Sequence, residues 1–115
     1  MRGIEMRRIR FRPELIMKLR KGKKTMSFRK SVKPNGFYIV EEGGHPIFEH
    51  IDTGIRIKIV RNYNVPDIEL YAHQFYDQEG FKSPQEFLEY IKILYRGHLP
   101  KLGWGHRFEV LGVQK

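Results

Sequence analysis

The chain has 115 residues, 40% of them apolar, which is enough for one domain with a modest core and too little for several. It contains no Cys, which excludes disulfides, thiolate zinc sites and thiol nucleophiles, and no run near the roughly 18 apolar residues of a membrane helix. The formal charge of +9 belongs to the first third: residues 1–33 hold 13 Lys or Arg against Glu5 and Glu14, while the other 9 Lys or Arg face 11 Asp or Glu.

In chain order, residues 1–12 read as a basic segment partly ordered as a strand, because RRIRF alternates charge with Ile9 and Phe11. Residues 13–115 read as one domain. Pro13 suits a first helical turn, PELIMKLRKG sets Leu15, Ile16 and Leu19 on one side, and Gly22 is a natural stop. Lys18, Arg20 and Lys21 also complement the negative end of that helix, a purely structural reason for their presence. TMSFR predicts a strand with Met26 and Phe28 toward the core and Thr25, Ser27 and Arg29 on the other face. KPNG is a turn, FYIV a strand and EEGGHP another turn. IFEHI and GIRIKIVRNY then predict two strands, the second alternating Ile55, Ile57 and Ile59 with Arg56, Lys58 and Arg61.

VPDIEL reads as a connector, and YAHQFYDQEGF fits a short helix or a structured loop. The clearest helix covers residues 84–95: Ser83 and Glu86 form a capping box around Pro84, and Phe87, Leu88, Ile91 and Leu94 supply its apolar face. HRFEVLGV is expected to be a closing strand, its apolar positions being Phe108, Val110 and Leu111. Five or six strands and two or three helices in so short a chain predict an α+β fold, a small, mostly antiparallel β-barrel with helices at its ends.

The cations of residues 1–33 match an electrostatic footprint for phosphates, since neutralising several phosphates releases their counterions. A solvated basic face is the plain alternative. Within this segment Lys24 and Ser27 share a site only if Lys24 lies in the turn after Gly22. Thr25, Ser27 and Arg29 would then line one wall, with Lys21 and Lys23 at its entrance. Such a wall can hold phosphate, or Lys24 can act as base toward the Ser27 hydroxyl. The second use needs a partly neutral Lys24, which desolvation and the neighbouring Lys21 and Lys23 would favour.

GKKTMSFR resembles the glycine-X-lysine-X-X-threonine-X-arginine signature of the ASCH domain family, a branch of the PUA-like folds linked to RNA binding. Gly22, Lys24 and Arg29 match, and Ser27 stands where the family usually has threonine. EGFKSPQEFLEYIKILY is similar to the family's second block, an acidic residue and a glycine-aromatic pair leading into a capped helix. The resemblance implies a barrel of five or six strands whose cleft is lined by both blocks. Some bacterial members are amidohydrolases that remove the acetyl group from acetylated cytidine, and their catalytic positions correspond to Lys24, Ser27 and Glu79. The implied roles are Ser27 as nucleophile, Lys24 as its base and Glu79 as proton donor or orienting group. Ser lacks the methyl that restricts the threonine rotamer.

Taken alone, Glu79 would be a solvated loop carboxylate, Arg29 half of a surface ion pair, and Thr25 and Ser27 ordinary strand residues. Trp104, between two glycines, is expected to plug the open end of the barrel, with stacking on a base as the alternative. Phe75, Tyr76 and Phe81 read as core or cleft floor. His45, His50, His73, His98 and His106 show no paired spacing on one element, so no metal is expected. No cofactor is implied, since the nucleotide-binding glycine fingerprints are missing.

The leading expectation is thus an RNA- or nucleotide-binding module whose candidate contacts are Lys21, Lys23, Lys24, Thr25, Ser27, Arg29 and Trp104. The alternative is an amidohydrolase using Lys24, Ser27 and Glu79. A third reading is a basic face that docks an acidic protein. A soluble cytoplasmic monomer is the expected setting, and the high charge with few Asn and Gln resembles heat-adapted composition.

Overall fold

The computed structural model describes residues 7–43 and 51–113. Its elements run β1 (Arg7–Phe11), α1 (Pro13–Arg20), β2 (Met26–Arg29), β3 (Gly36–Glu42), β4 (Ile51–Val65), α2 (Ile68–Phe75), α3 (Pro84–Leu94) and β5 (Gly103–Val113). The five strands form one mixed, curled sheet in the order β1-β3-β4-β5-β2, an α+β half-barrel with three helices. Only β1 and β3 are parallel; the other three pairings are antiparallel. Among the described residues no helix is long and apolar enough to cross a membrane.

Curvature comes from irregularities in the ladders. Register shifts interrupt β3 between Ile39 and Glu41, and β4 between Arg56 and Ile57 and between Ile59 and Arg61; each extra residue increases local twist and bends the strand. The concave face collects Ile9, Tyr38, Val40, Ile55, Ile57, Ile59 and Phe108, all essentially buried. Leu15, Ile16 and Leu19 of α1 close one side of this core, and Tyr71, Ala72, Phe87 and Ile91 of α2 and α3 close the other.

Most expected elements are present, with instructive departures. The expected strand IFEHI falls on residues 47–51, of which only Ile51, the first residue of β4, lies among the described residues. Half of the expected connector VPDIEL is helical: the Asp67 carboxylate accepts from the Glu69 amide at 2.9 Å and starts α2 at Ile68. The Ser83 hydroxyl caps α3 as expected, accepting from the Glu86 amide at 3.1 Å, but Glu86 returns its bond to the Lys82 amide, one residue before the cap. The β5 strand sits inside the sheet, between β4 and β2, and Leu111 on it is exposed.

The two edges of the half-barrel are therefore β1 and β2. A side chain, not a strand ladder, spans their seam: Arg29 Nη2 donates to the Arg10 carbonyl at 2.7 Å.

Candidate functional site

Two local devices bring the signature segment and the loop after α2 together. At the end of α1, the Lys23 amide bonds the Lys18 carbonyl at 2.9 Å and the Gly22 amide bonds that of Leu19 at 3.1 Å, with Gly22 at φ 71°. This left-handed helix stop reverses the chain and delivers Lys24 inward. The amides of Thr25 and Met26 then both bond the Gln78 carbonyl, at 2.8 and 3.1 Å. Gly80, at φ 96°, lets the two segments close: a Cβ there would meet Lys18 Cδ at 3.0 Å. Lys18 Nζ fastens the contact from outside by donating to the Gly80 carbonyl at 2.6 Å.

At this crossing Lys24 Nζ meets Glu79 Oε1 at 2.7 Å and the Glu79 carbonyl at 3.1 Å, with Lys24 1% and Glu79 2% exposed. The other oxygen, Glu79 Oε2, accepts from the Tyr71 hydroxyl at 2.5 Å. Burial pushes the Lys24 ammonium below its usual range, and the Glu79 carboxylate opposes that shift. Further lowering comes from Arg29 and Lys18, whereas Lys21 and Lys23, expected to exert that push, are exposed. Burial and the adjacent carboxylate raise the Tyr71 phenol, so it stays a donor.

The pair opens onto a cavity of about 290 Å³ at the β1–β2 seam. Lys24, Ser27, Arg29 and Glu79 all line it, under Phe81, Tyr90 and Tyr95. Arg29 lies over the Phe11 ring at 4.8 Å. Its Nη2 is spent on Arg10, but Nε is buried without a hydrogen-bond partner among the described residues. Leaving a donor in that state costs about 1–3 kcal/mol, so the cavity is incomplete as a polar site.

Behind the wall, the Ser27 carbonyl accepts from Nδ1 of His106 at 3.0 Å, and His106 Nε2 accepts from the Lys33 amide at 2.8 Å. The acceptor role of Nε2 fixes the neutral tautomer with the proton on Nδ1. Burial lowers the His106 pKa; the Ser27 contact opposes this, and Arg29 and Lys33 reinforce it.

Several expected contacts lie elsewhere. Thr25 is exposed, and with Lys21 and Lys23 it borders a separate open groove of about 830 Å³, where Tyr76 also lies. Phe81 lines both concavities. Trp104, half-exposed within β5 opposite Arg29 and Asn64, lines neither and does not plug the barrel, because it belongs to an inner strand and not to a loop. Ser27 lines the cavity, yet the hydrogen bonds of Lys24 Nζ among the described residues go to Glu79 and not to the Ser27 hydroxyl. Tyr71 and His106 escaped sequence reasoning, since each acts on a residue distant in the chain.

No protein-family model and no curated protein matches this sequence. Among solved structures the chain is similar to the crystal structure of the hypothetical protein PH0355, with a TM-score of 0.67 and 15% sequence identity over 93% of this chain and 100% of that one. At that identity the likeness shows the fold alone.

Proposed function

We propose that the chain binds RNA or a modified nucleotide, with one base entering the seam cavity and the cations of residues 1–33 supplying phosphate attraction. The observation that carries this reading is the cavity itself: an aromatic-roofed space of about 290 Å³ that gathers Lys24, Ser27, Arg29 and Glu79 and leaves Arg29 Nε without an acceptor among the described residues. Its volume sits at the lower edge of the ~300–1,000 Å³ typical of small-molecule sites, which suits a single nucleoside unit. A base reaches such a space only when unstacked, so single-stranded RNA is the natural polymer.

The test is fluorescence anisotropy with a labelled single-stranded RNA. Binding should weaken steeply with added salt and fall tenfold or more in Arg29→Met, the scale of a lost hydrogen bond to a charged group. Salt-independent binding, or none, would sink the reading.

A second reading, deacylation of acetylated cytidine, is favoured by the meeting of Lys24, Ser27 and Glu79 in one cavity. Ser27 Oγ would attack the acetyl carbonyl, passing its proton to a neutral Lys24. The proton taken up by Lys24 would pass through Glu79 to the departing amine, and water would then hydrolyse the acetyl ester, releasing acetate and restoring the Ser27 hydroxyl. Lys24 must then turn from Glu79 toward Ser27 when substrate enters. Hydrolysis by the purified protein, lost in both Lys24→Ala and Ser27→Ala, would establish this chemistry; a folded protein without turnover would reject it.

A further inference from the structure

Beside the seam cavity lies a group of cations that its Lys24–Glu79 interior does not use. Arg29 ends β2, Lys30 and Lys33 follow it on the connection to β3, and residues 29–36 contain no Asp or Glu. Positions 104–107 of β5, which pair with residues 26–29 of β2, are Trp, Gly, His and Arg, again without a carboxylate. Among the described residues none of the three cations has a carboxylate in ion-pair contact. Among the described residues the carboxylate whose charge reaches Arg29, Glu79, has its two oxygens taken by Lys24 and Tyr71.

The three are tied to the cavity and to each other. Arg29 lines it, with Nε unpartnered among the described residues. Lys30 Nζ stands 5.7 Å from the centre of the Tyr95 ring, and Tyr95 is part of the cavity roof. Lys33 is anchored through its amide to His106, which bonds in turn to the Ser27 carbonyl beneath the cavity wall. Like charges held together without counter-charges lower one another's proton affinity: burial and the nearby Arg29 guanidinium depress the Lys33 ammonium. An anion bound there would reverse that repulsion.

We propose that Arg29, Lys30 and Lys33 form a phosphate subsite at the mouth of the seam cavity, so that the ligand is a nucleotide or a phosphodiester-linked residue and not a free nucleoside. The inference rests on the reading of the cavity as a nucleotide site and narrows its ligand class. The subsite contributes charge-assisted bonds from Lys30 and Lys33, while the Arg29 fork spans the mouth and the interior.

The test is calorimetric titration of the intact chain with the four common ribonucleosides, acetylated cytidine, and the 5′- and 3′-monophosphates of each. At least one monophosphate should bind tenfold or more tightly than its nucleoside. In the double variant Lys30→Gln with Lys33→Gln, whose lysine side chains make no hydrogen bond or ion pair among the described residues, that advantage should shrink to less than threefold while nucleoside affinity and Tm stay unchanged. Equal affinity for nucleoside and monophosphate would overturn the subsite and leave the cavity reading intact. A phosphate advantage that survives the double substitution would overturn the assignment to these lysines, and failure of every compound to bind would overturn both.

Discussion

Lys24 and Glu79 form a buried pair whose cost is set by what remains when one member is lost. The interior attraction of such charges offsets an expensive desolvation, so the pair adds little net stability, whereas a single deletion strands a charge. Lys24→Met should therefore destabilise the chain by about 3–5 kcal/mol in urea unfolding. Lys24→Met combined with Glu79→Gln should cost less than Lys24→Met alone, because no buried charge is left and the amide still accepts from Tyr71. Additive losses would mean that the pair itself, not the stranded charge, carries the stability. His106 makes a pH prediction at the same scale. The folded protein holds this imidazole below its ordinary pKa of 6.5, so as pH falls through that value the unfolded chain takes up a proton that the folded one refuses. Stability should decline from about pH 6.5 downward, by at most ~1.4 kcal/mol per pH unit from this group, and level off below the folded pKa. His106→Gln should flatten the urea midpoint between pH 7.5 and 5.5; an unchanged slope would assign the effect to another group.

At the scale of elements, β5 matters through what its glycines leave open. Gly105 pairs with Phe28, and a Cβ there would meet the Tyr71 ring at 2.5 Å. Tyr71 is packed among Phe28, Phe75 and Phe87, so a shift of its ring disturbs the bond its hydroxyl makes to Glu79. Gly105→Ala should cost about 1–3 kcal/mol by overpacking and also weaken ligand binding. Ser83→Ala, which removes only the cap of α3, should cost a similar ~0.5–2 kcal/mol and leave binding unchanged. Equal effects of the two on affinity would mean that Tyr71 does not govern the site. The same contrast explains what could be read in advance. The Ile55, Ile57, Ile59 alternation, the Ser83 cap and the Gly22 stop are signals within one element, and each predicted its structure. Lys24 needed the turn after Gly22 and has it, but its burial against Glu79, 55 residues away, depends on Gly80 and Gln78 docking on the signature segment. Tyr71 and His106 contribute through partners 8 and 79 residues distant, with no periodicity to mark them. The parallel pairing of β1 with β3 was equally invisible, because register across separate strands is a property of the assembled sheet.

For the whole molecule, the uneven charge acquires a direction. The basic first third contributes β1, α1 and β2, the first and last of which flank the seam, so Arg10, Arg12, Lys24 and Arg29 line the cavity while Lys18, Lys21 and Lys23 line the neighbouring groove. Beyond the crossing of residues 24 and 79 lies the open groove of about 830 Å³, with Lys18, Lys21, Lys23 and Lys82 on its walls. Its carboxylates are partly occupied: Glu14 accepts from Arg12 and Tyr90, and Glu86 accepts from the Lys82 amide. Lys18 is held by the Gly80 carbonyl, which leaves Lys21 and Lys23 as the exposed cations of the helix stop. A strand whose base enters the cavity would run its backbone past them. Each phosphate neutralised in a single strand contributes about −0.7 to the slope of log affinity against log salt. Lys21→Gln with Lys23→Gln should therefore reduce the slope for single-stranded RNA by roughly 1.4, weaken all sequences alike, and leave mononucleotide binding untouched. A slope that does not change would place the backbone on the β1 side of the seam, where Arg8, Arg10 and Arg12 would have to exchange Glu41 and Glu14 for phosphate.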